Sequence, residues 1–219
     1  GMPLTIFAIV FITNAINLID GIDGLASGLS GTALLILGSL FLHQHMWSYA
    51  MLSFSTLGVL IPFFYYNVFG KVERCRKIFM GDTGSLTLGY ILSFLIIRYS
   101  VCAPDIIPYS DGAIIVAFST IIIPMFDVMR VMFVRWRSHK GIFVADKNHI
   151  HHKLLNMGLT QWQAMLLILI MACLFSGVNI CLISYIDNNI LIGFDILVWT
   201  GLNLWFDRIR KKHLAEKST

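Results

Sequence analysis

Long apolar stretches alternate with short polar segments along most of the 219 residues. A membrane-spanning helix needs about 20 predominantly apolar residues. The stretches that approach or reach this length are 4–19, 26–42, 49–69, 84–101, 112–134, 163–186 and 190–206. The fourth is short and carries Arg98 near its far end, where a long cationic side chain can extend to the interface. The pattern predicts an all-α, polytopic membrane helical bundle with about seven transmembrane helices.

The composition supports the same class of protein. Hydrophobic residues make up 57% of the chain and charged residues 13%, whereas soluble domains carry roughly 25% charged residues. The mean hydropathy is +0.78. Internal repeats, low-complexity tracts and linkers are not evident, so residues 1–219 are expected to form a single integral-membrane domain. These values exclude an ordinary soluble domain.

Lysine and arginine fall on alternate polar segments, which predicts the orientation in the membrane. If the segment after the first span is cytoplasmic, the cytoplasmic segments are 19–25, 70–83, 135–162 and 207–219. The opposite loops at 43–48, 102–111 and 187–189 contain no Lys or Arg. An excess of basic residues marks cytoplasmic loops. The three polar motifs described next would therefore share the cytoplasmic face.

The first motif is NAINLIDGIDGL, residues 14–25, at the end of the first apolar stretch. Its polar residues recur at every third position: Asn14, Asn17, Asp20 and Asp23. Residues three apart share one face of a helix, and Gly21 and Gly24 free the backbone that follows. An ordinary helix cap needs one polar side chain. Four of them favour a binding site over a capped helix end.

The second motif is FMGDTGSLTLGY, residues 79–90, in which Gly81 and Gly84 flank Asp82. A glycine-rich turn that leads into a helix presents free N–H groups to a phosphate. A carboxylate there would repel the phosphate unless a cation lay between them. Asp82 is therefore interpreted as a Mg²⁺ ligand, with an ordinary helix cap as the alternative. Thr83 or Ser85 is expected to cap the helix that follows.

The third motif is DKNHIHHKLLNMGLT, residues 146–160. His149 and His152 are three positions apart, with His151 beside His152, so a helical turn would present two imidazoles together. Zinc sites combine histidines with Cys or carboxylate ligands at set spacings, and this motif matches none of them. Hydrogen bonding to an anionic substrate, with acid or base participation, is favoured over a zinc site or a structural role.

Two further acidic residues lie within predicted spans. Asp127 and Arg130 are three positions apart. Charges inside a membrane are costly and tend to be paired or functional, and an internal ion pair is favoured over direct contact with substrate. Asp195, in the last span, has no evident partner in the sequence.

In this order and on one face, NAINLIDGIDGL, FMGDTGS and NHIHH resemble the polyprenyl-phosphate N-acetylhexosamine-1-phosphate transferases of bacterial membranes. The histidine loop is more similar to the branch that uses UDP-N-acetylglucosamine than to phospho-MurNAc-pentapeptide transferase. The resemblance implies transfer of N-acetylglucosamine 1-phosphate from the UDP-sugar to undecaprenyl phosphate, with release of UMP. This is the first membrane step of cell-envelope polysaccharide assembly, including lipopolysaccharide. It implies a bacterial cytoplasmic-membrane enzyme whose active site faces the cytoplasm.

The resemblance also implies a cofactor and residue roles. Mg²⁺, with Mn²⁺ as an alternative, would be bound by Asp82. The implied catalytic residues are Asp20, Asp23, Asp82, His149, His151 and His152, and the implied substrate contacts are Asn14, Asn17, Gly81, Ser85 and Lys147. The expected partners are UDP-N-acetylhexosamine, undecaprenyl phosphate and the lipid bilayer. No nucleic acid is expected, and a homodimer is compatible with the resemblance. Direct attack by the lipid phosphate and prior attack by an enzyme aspartate both stay open.

One feature of the family is not found in this sequence. Its members carry an aspartate-rich motif upstream of the first motif, and the chain contains no adjacent pair of aspartates. The chain is therefore expected to correspond to the C-terminal portion of the family fold. A non-catalytic remnant is one alternative. A transporter is another, but transporter sites tend to lie at the midplane between repeated halves, whereas these motifs gather at one interface.

Overall fold

The computed structural model describes residues 1–101, 112–138 and 149–217, and every regular element in these ranges is a helix. The helices are α1 (Met2–Ile19), α2 (Leu25–His43), α3 (Trp47–Phe69), α4 (Gly81–Ser100), α5 (Ala113–Ser119), α6 (Ile122–Arg137), α7 (Ile150–Asn156), α8 (Gln161–Leu182) and α9 (Asn188–Lys217). A single 3₁₀ turn, Val72–Arg74, lies between α3 and α4. The predicted all-α bundle is confirmed.

Five of the described helices are long and apolar enough to cross a membrane: α1, α2, α3, α8 and α9. The predicted span at 112–134 is broken, because α5 and α6 meet at an angle of 79° and together count as at most one more span. The predicted fourth span is a helix of 20 residues, α4, but falls outside this apolar group. Asp82 in its first turn and Arg98 in its last make both ends polar.

Arg98 is held by an aromatic partner near the end of α4. Its Nε donates a hydrogen bond of 2.6 Å to the hydroxyl of Tyr49 on α3. The guanidinium also lies 5.2 Å from the centre of the Tyr49 ring, within the range of a cation–π contact. The positive charge of Arg98, which made the fourth predicted span less typical, is thus stabilised by Tyr49 of the neighbouring helix α3.

The core consists of two clusters of buried side chains. The first cluster contains side chains from each of the helices α1, α2, α3 and α4, including Ile16, Leu37 and Leu92. The second surrounds α7 and α8 and includes Ile150 and Ile168. Ile16 belongs to the first cluster, whereas Ile19 and Ile22 belong to the second, so the chain passes from one cluster to the other in the last turn of α1.

The crossing of α1 and α4 is unusually close at Gly89. A Cβ at Gly89 would lie 2.7 Å from Thr13 Cα and 3.0 Å from Thr13 O. Glycine permits this approach because it has no side chain. The contact fixes how far α4 slides along α1, and it therefore sets which residues face each other one turn further along both helices.

Candidate active site

The end of α1 and the start of α4 enclose a polar cavity of about 340 Å³. We call it the acid cavity. Its lining residues are Asn17, Asp20, Gly21, Ile22, Asp23, Asn67, Phe79, Met80, Gly81 and Asp82. The first two sequence motifs, about 60 residues apart in the chain, thus form the walls of one site.

Asn17 joins the two motifs directly. Its Nδ2 donates to Asp82 Oδ1 at 3.2 Å and to Ser85 Oγ at 2.8 Å. Ser85 is fully buried, and its hydroxyl lies 3.2 Å from the carbonyl oxygens of Gly81 and Asp82. Ser85 therefore supports the first turn of α4 and positions Asn17.

The helix α4 begins at Gly81, which has a φ of +65°, and places Asp82 in its first turn. The residue that precedes the helix is Met80, and no side chain there makes a capping hydrogen bond. The expectation that Thr83 or Ser85 caps this helix is wrong, because both residues lie inside it. Nor does Asp82 occupy the cap position, so its carboxylate is available to the acid cavity.

The acidic residues of the cavity are in different electrostatic environments. Partial removal from water raises the pKa of Asp20 above its usual range, and the Asp23 and Asp82 carboxylates raise it further. Asp23 forms an ion pair with Lys77, with Oδ2 and Nζ 2.5 Å apart. Three carboxylates thus share a cavity that has one lysine at its edge, which is an arrangement that favours a bound cation.

Asn67, in the last turn of α3, was not identified from the sequence. Its Oδ1 accepts a hydrogen bond of 2.6 Å from Gly24 N, and its Nδ2 donates one of 2.8 Å to Ile78 O. Gly24 has a φ of +78°, which is a conformation that suits glycine. Asn67 therefore ties the turn after the first motif to the loop before the second. A lone amide near the end of an apolar stretch was the available signal.

The histidine motif reaches the acid cavity through Gly21. A Cβ at Gly21 would overlap the imidazole of His151, so the ring lies directly against the backbone of the first motif. His151 is 1% exposed. The rings of His149 and His151 are stacked with centres 5.9 Å apart, and the His152 ring lies 4.3 Å from that of His151.

Asp127 on α6 organises the start of the histidine helix. Its Oδ2 lies 2.8 Å from His149 Nδ1, and its Oδ1 accepts from Ile150 N at 3.0 Å. Arg130 donates to the same Oδ1 at 2.7 Å. The predicted ion pair between Asp127 and Arg130 is confirmed, and the structure adds that its carboxylate also holds α7.

The environment of His151 sets its protonation state. Burial lowers the pKa of His151 to about 4, and the neighbouring His152 and His149 contribute to the shift. The ring is therefore neutral near pH 7. Its Nδ1 is buried and makes no hydrogen bond within the part of the chain that the structure describes. A neutral imidazole has one N–H donor and one acceptor to offer a ligand.

Of the predicted site residues within the described ranges, Asn14, His149 and His152 do not line the acid cavity. Asn14 is exposed and donates to Val10 O of its own helix at 2.7 Å. Lys147 lies outside the described residues. Of the remaining residues, Asn17, Asp20, Asp23, Gly81 and Asp82 line the cavity, whereas Ser85 and His151 lie directly behind its walls.

The described residues contain no group of three or more His, Cys, Asp or Glu side chains that could hold a metal ion. A closed zinc site needs four protein ligands, and these ranges show no such group. The arrangement is compatible with Mg²⁺, which is usually bound by one or two carboxylates together with water and substrate phosphates. The chemistry of the acid cavity therefore fits a hard cation that completes its coordination with substrate.

Comparison with known proteins finds sequence similarity to the family that the three motifs resemble. Residues 1–100 match the family described as glycosyl transferase family 4. The undecaprenyl-phosphate alpha-N-acetylglucosaminyl 1-phosphate transferase of Escherichia coli K12 is 32% identical over 180 residues, which cover 82% of this chain and 47% of that relative. The Yersinia pestis protein of the same name is 33% identical over 181 residues, which cover 82% and 48%.

A more identical relative comes from Bacillus subtilis strain 168. It is named as a probable undecaprenyl-phosphate N-acetylglucosaminyl 1-phosphate transferase and is 38% identical over 177 residues, which cover 80% of this chain and 46% of the relative. The resemblance inferred from the three motifs is confirmed. The chain spans about half the length of the curated relatives it matches.

Proposed function

We propose that this chain forms the part of a membrane transferase that binds a nucleotide-sugar and transfers N-acetylglucosamine 1-phosphate to undecaprenyl phosphate, with release of UMP. The observation that carries the proposal is the pair of hydrogen bonds from Asn17 to Asp82 and Ser85. They join two motifs of the resemblance in one acid cavity, and the names of the relatives supply the reaction.

The residues of the acid cavity suit a substrate that carries a diphosphate. Asp82 and Asp20 are the proposed Mg²⁺ ligands, with Mn²⁺ as a substitute, and both would leave coordination positions for phosphate oxygens. When bound, the cation would neutralise the diphosphate and stabilise the departing UMP. Lys77, which already pairs with Asp23, places a positive charge at the edge of the same cavity.

The other walls would orient the substrate. His151 lies against Gly21 and, being neutral, would donate or accept a hydrogen bond without adding charge. Phe79 lines the cavity and is 72% exposed. An exposed aromatic ring beside a polar cavity offers a stacking surface for a base such as uracil.

The location of the acid cavity suits an acceptor that resides in a membrane. The cavity lies at the ends of apolar helices, where the phosphate of a lipid meets water while its tail stays among the spans. The excess of Lys and Arg on this side of the chain supports a cytoplasmic location under the positive-inside rule. We propose the bacterial inner membrane as its place.

The test is release of UMP from UDP-N-acetylglucosamine by membranes that contain undecaprenyl phosphate and Mg²⁺. Because the relatives are longer, the assay uses the longest open reading frame that contains this chain. Asp82→Asn is expected to lower the rate at least a hundredfold, and removal of Mg²⁺ with a chelator is expected to abolish it. Glu73→Gln, at an exposed acid in the connection that precedes α4, serves as the control. Full activity of Asp82→Asn would refute the assignment.

A further inference from the structure

Asp195, which has no evident partner in the sequence, lies on the buried side of α9. It is 3% exposed and stands between two buried apolar residues of the same helix face, Leu191 and Trp199. Its neighbours in sequence, Phe194 and Ile196, are exposed, and the helix is apolar enough to cross the membrane. Asp195 is seven residues from the start of α9, which is about 10 Å along the helix axis. An acidic side chain is therefore buried inside the membrane part of the bundle.

The partner of this carboxyl group in the described ranges is an amide on α8. Asn179 Nδ2 lies 3.1 Å from Asp195 Oδ1 and 3.0 Å from Asp195 Oδ2, and both contacts are buried. The same Nδ2 donates to Phe175 O of its own helix at 2.9 Å. Within the described ranges, no Lys, Arg or His forms an ion pair with Asp195. One neutral donor thus faces both oxygens of the acid.

The side-chain oxygen of Asn179 has no donor. Asn179 is 0% exposed, and its Oδ1 is buried without a hydrogen-bond partner in the part of the chain that the structure describes. An ionised carboxylate has no hydrogen to donate. Asp195 as an anion would therefore leave this oxygen unpaired, and it would also place an uncompensated charge inside the membrane.

A proton on Asp195 removes both penalties. A protonated carboxyl group has one O–H donor and one carbonyl acceptor, which match the oxygen and the N–H of a carboxamide. A small rotation of the side chains turns the shared contact into two parallel hydrogen bonds. Asp195 O–H then donates to Asn179 Oδ1, while Nδ2 donates to the other carboxyl oxygen. The second Nδ2 hydrogen keeps its bond to Phe175 O, so every polar atom of the pair is satisfied.

The surroundings of the pair do not supply a compensating charge. A cavity of about 240 Å³ at the bend between α5 and α6 has Asp195 in its wall, and its other lining side chains are apolar except for Ser119. The Ser119 hydroxyl donates to Val116 O at 2.7 Å, and the Ser119 carbonyl accepts from Ser176 Oγ at 3.1 Å. The described lining of this cavity therefore offers Asp195 neither a cation nor a free side-chain donor.

We propose that Asp195 is an uncharged carboxylic acid at neutral pH and forms an acid–amide pair with Asn179 that locks α9 to α8. Packing of apolar side chains alone defines the relative position of two membrane helices weakly, whereas hydrogen bonds between their side chains give the contact a direction. The acid–amide pair supplies two such bonds in one plane. The proposal concerns the fold of the chain and does not depend on the proposed transferase function.

The acid–amide pair also positions residues that support the histidine helix. Asn203 and Asp207, further along α9, lie 3.2 Å and 3.0 Å from Lys153 Nζ on α7. Asn203 is eight residues from Asp195, or about 12 Å along the helix axis. Fixing α9 against α8 therefore fixes the two residues that hold α7, the helix that carries His151. Asp195 is a positioning residue in this arrangement.

Infrared difference spectroscopy of the full chain in detergent micelles tests the protonation state. The spectrum of the wild type minus that of Asp195→Asn at neutral pH should show the C=O stretching band of a protonated carboxylic acid. This band should shift to lower frequency in heavy water. Asp187→Asn, at an exposed acid just before α9, is the matched control and should leave the band in place. Identical carboxyl regions in the wild type and Asp195→Asn would overturn the proposal.

The same band identifies the partner. Asn179→Leu should move the Asp195 band to higher frequency, because a carboxyl group without a hydrogen bond absorbs at higher frequency. Ser176→Ala removes a buried hydroxyl of the same helix face that donates to Ser119 O, and it should leave the frequency unchanged. An unchanged frequency in Asn179→Leu would exclude the acid–amide pair.

Thermal unfolding tests the lock independently of the spectrum. Asp195→Asn keeps one donor and one acceptor toward Asn179 and should leave the Tm within about 2 °C of the wild type, whereas Asp195→Ala should lower it by at least about 4 °C. Equal losses in the two variants would contradict the pair. A Tm that rises with sodium chloride in the wild type but not in Asp195→Asn would show a bound cation in place of the proton. None of these measurements involves UMP release, so the lock and the transferase function can fail separately.

Discussion

The Asp127 carboxylate lies 2.8 Å from His149 Nδ1, across 22 positions of the chain. Asp127 is fully buried on α6 and also accepts from the first backbone N–H of α7. The orientation of the histidine helix therefore depends on a carboxylate of α6, the second half of the broken apolar stretch. Asp127 is a positioning residue, and its position in a predicted span is explained by this contact.

The variant Asp127→Asn tests this dependence. It removes the negative charge that pairs with Arg130 at 2.7 Å, and removal of one member of a buried pair costs about 3–5 kcal/mol. Because 17% of the Arg130 side chain is exposed, we expect about 2 kcal/mol, measured by thermal unfolding in detergent. The double variant Asp127→Asn/Arg130→Gln should recover part of the loss. Equal losses in the single and double variants would contradict the role of the ion pair.

Gly21→Ala should damage the junction of the first and third motifs. The added methyl group would overlap the buried ring of His151, and forcing such an overlap costs about 1–3 kcal/mol. The second substitution His151→Ala removes the clash, so the two changes should be less than additive in a double-mutant cycle. Gly177→Ala on α8 is the control, because a Cβ there meets no atom within 4 Å. Strictly additive losses would place the effect elsewhere.

The His151 ring predicts a pH dependence of stability. Its pKa is about 4 in the folded chain and about 6.5 when unfolded. A depressed pKa contributes stability that is complete above pH 6.5 and is lost as the pH falls toward 4, at most about 3 kcal/mol here. The Tm of the wild type should therefore fall more steeply over this range than that of His151→Gln. The exposed His43→Gln variant should keep the steep slope, and a shallow slope in the wild type would contradict the burial of this ring.

Asn67→Ala should destabilise the acid cavity. It removes the acceptor of Gly24 N–H, in a buried hydrogen bond, and the donor to Ile78 O, in a partly buried one, and their joint loss costs about 1–3 kcal/mol. Asn14→Ala removes an exposed amide that donates to Val10 O of its own helix and should change the free energy of unfolding by less than about 0.5 kcal/mol. Comparable losses in these two variants would show that Asn67 does not join the two loops.

The sequence was informative where a local pattern carried the signal. Apolar length predicted the helical bundle, and three-residue spacing predicted the polar face to which Asn17 belongs. The same spacing placed Asn14 in the site, although it lies one turn too far from the helix end and bonds to its own backbone. Periodicity identifies which face of a helix is polar, but it does not show how many residues of that face line the cavity.

Other features depend on contacts between distant segments. The meeting of Gly21 with His151 joins residues 130 positions apart, and Asn67 gains its role from two loops that only the fold brings together. The 79° bend between α5 and α6 divides an apolar stretch that composition alone predicts as one span. In each case tertiary packing decides the outcome, and no local spacing encodes it.

The helices α1 and α4 cross closely at Gly89 and Thr13. The geometry of the acid cavity therefore depends on a residue that lies outside it. Gly89 is seven residues from Asp82, or about 10 Å along α4, and has no space for a side chain. Any larger residue there would push the two helices apart and draw Asp82 and Ser85 away from Asn17. A natural variant at position 89 would therefore disable the site although every polar residue that lines it is unchanged. A comparison limited to the polar residues of the site would not reveal the cause.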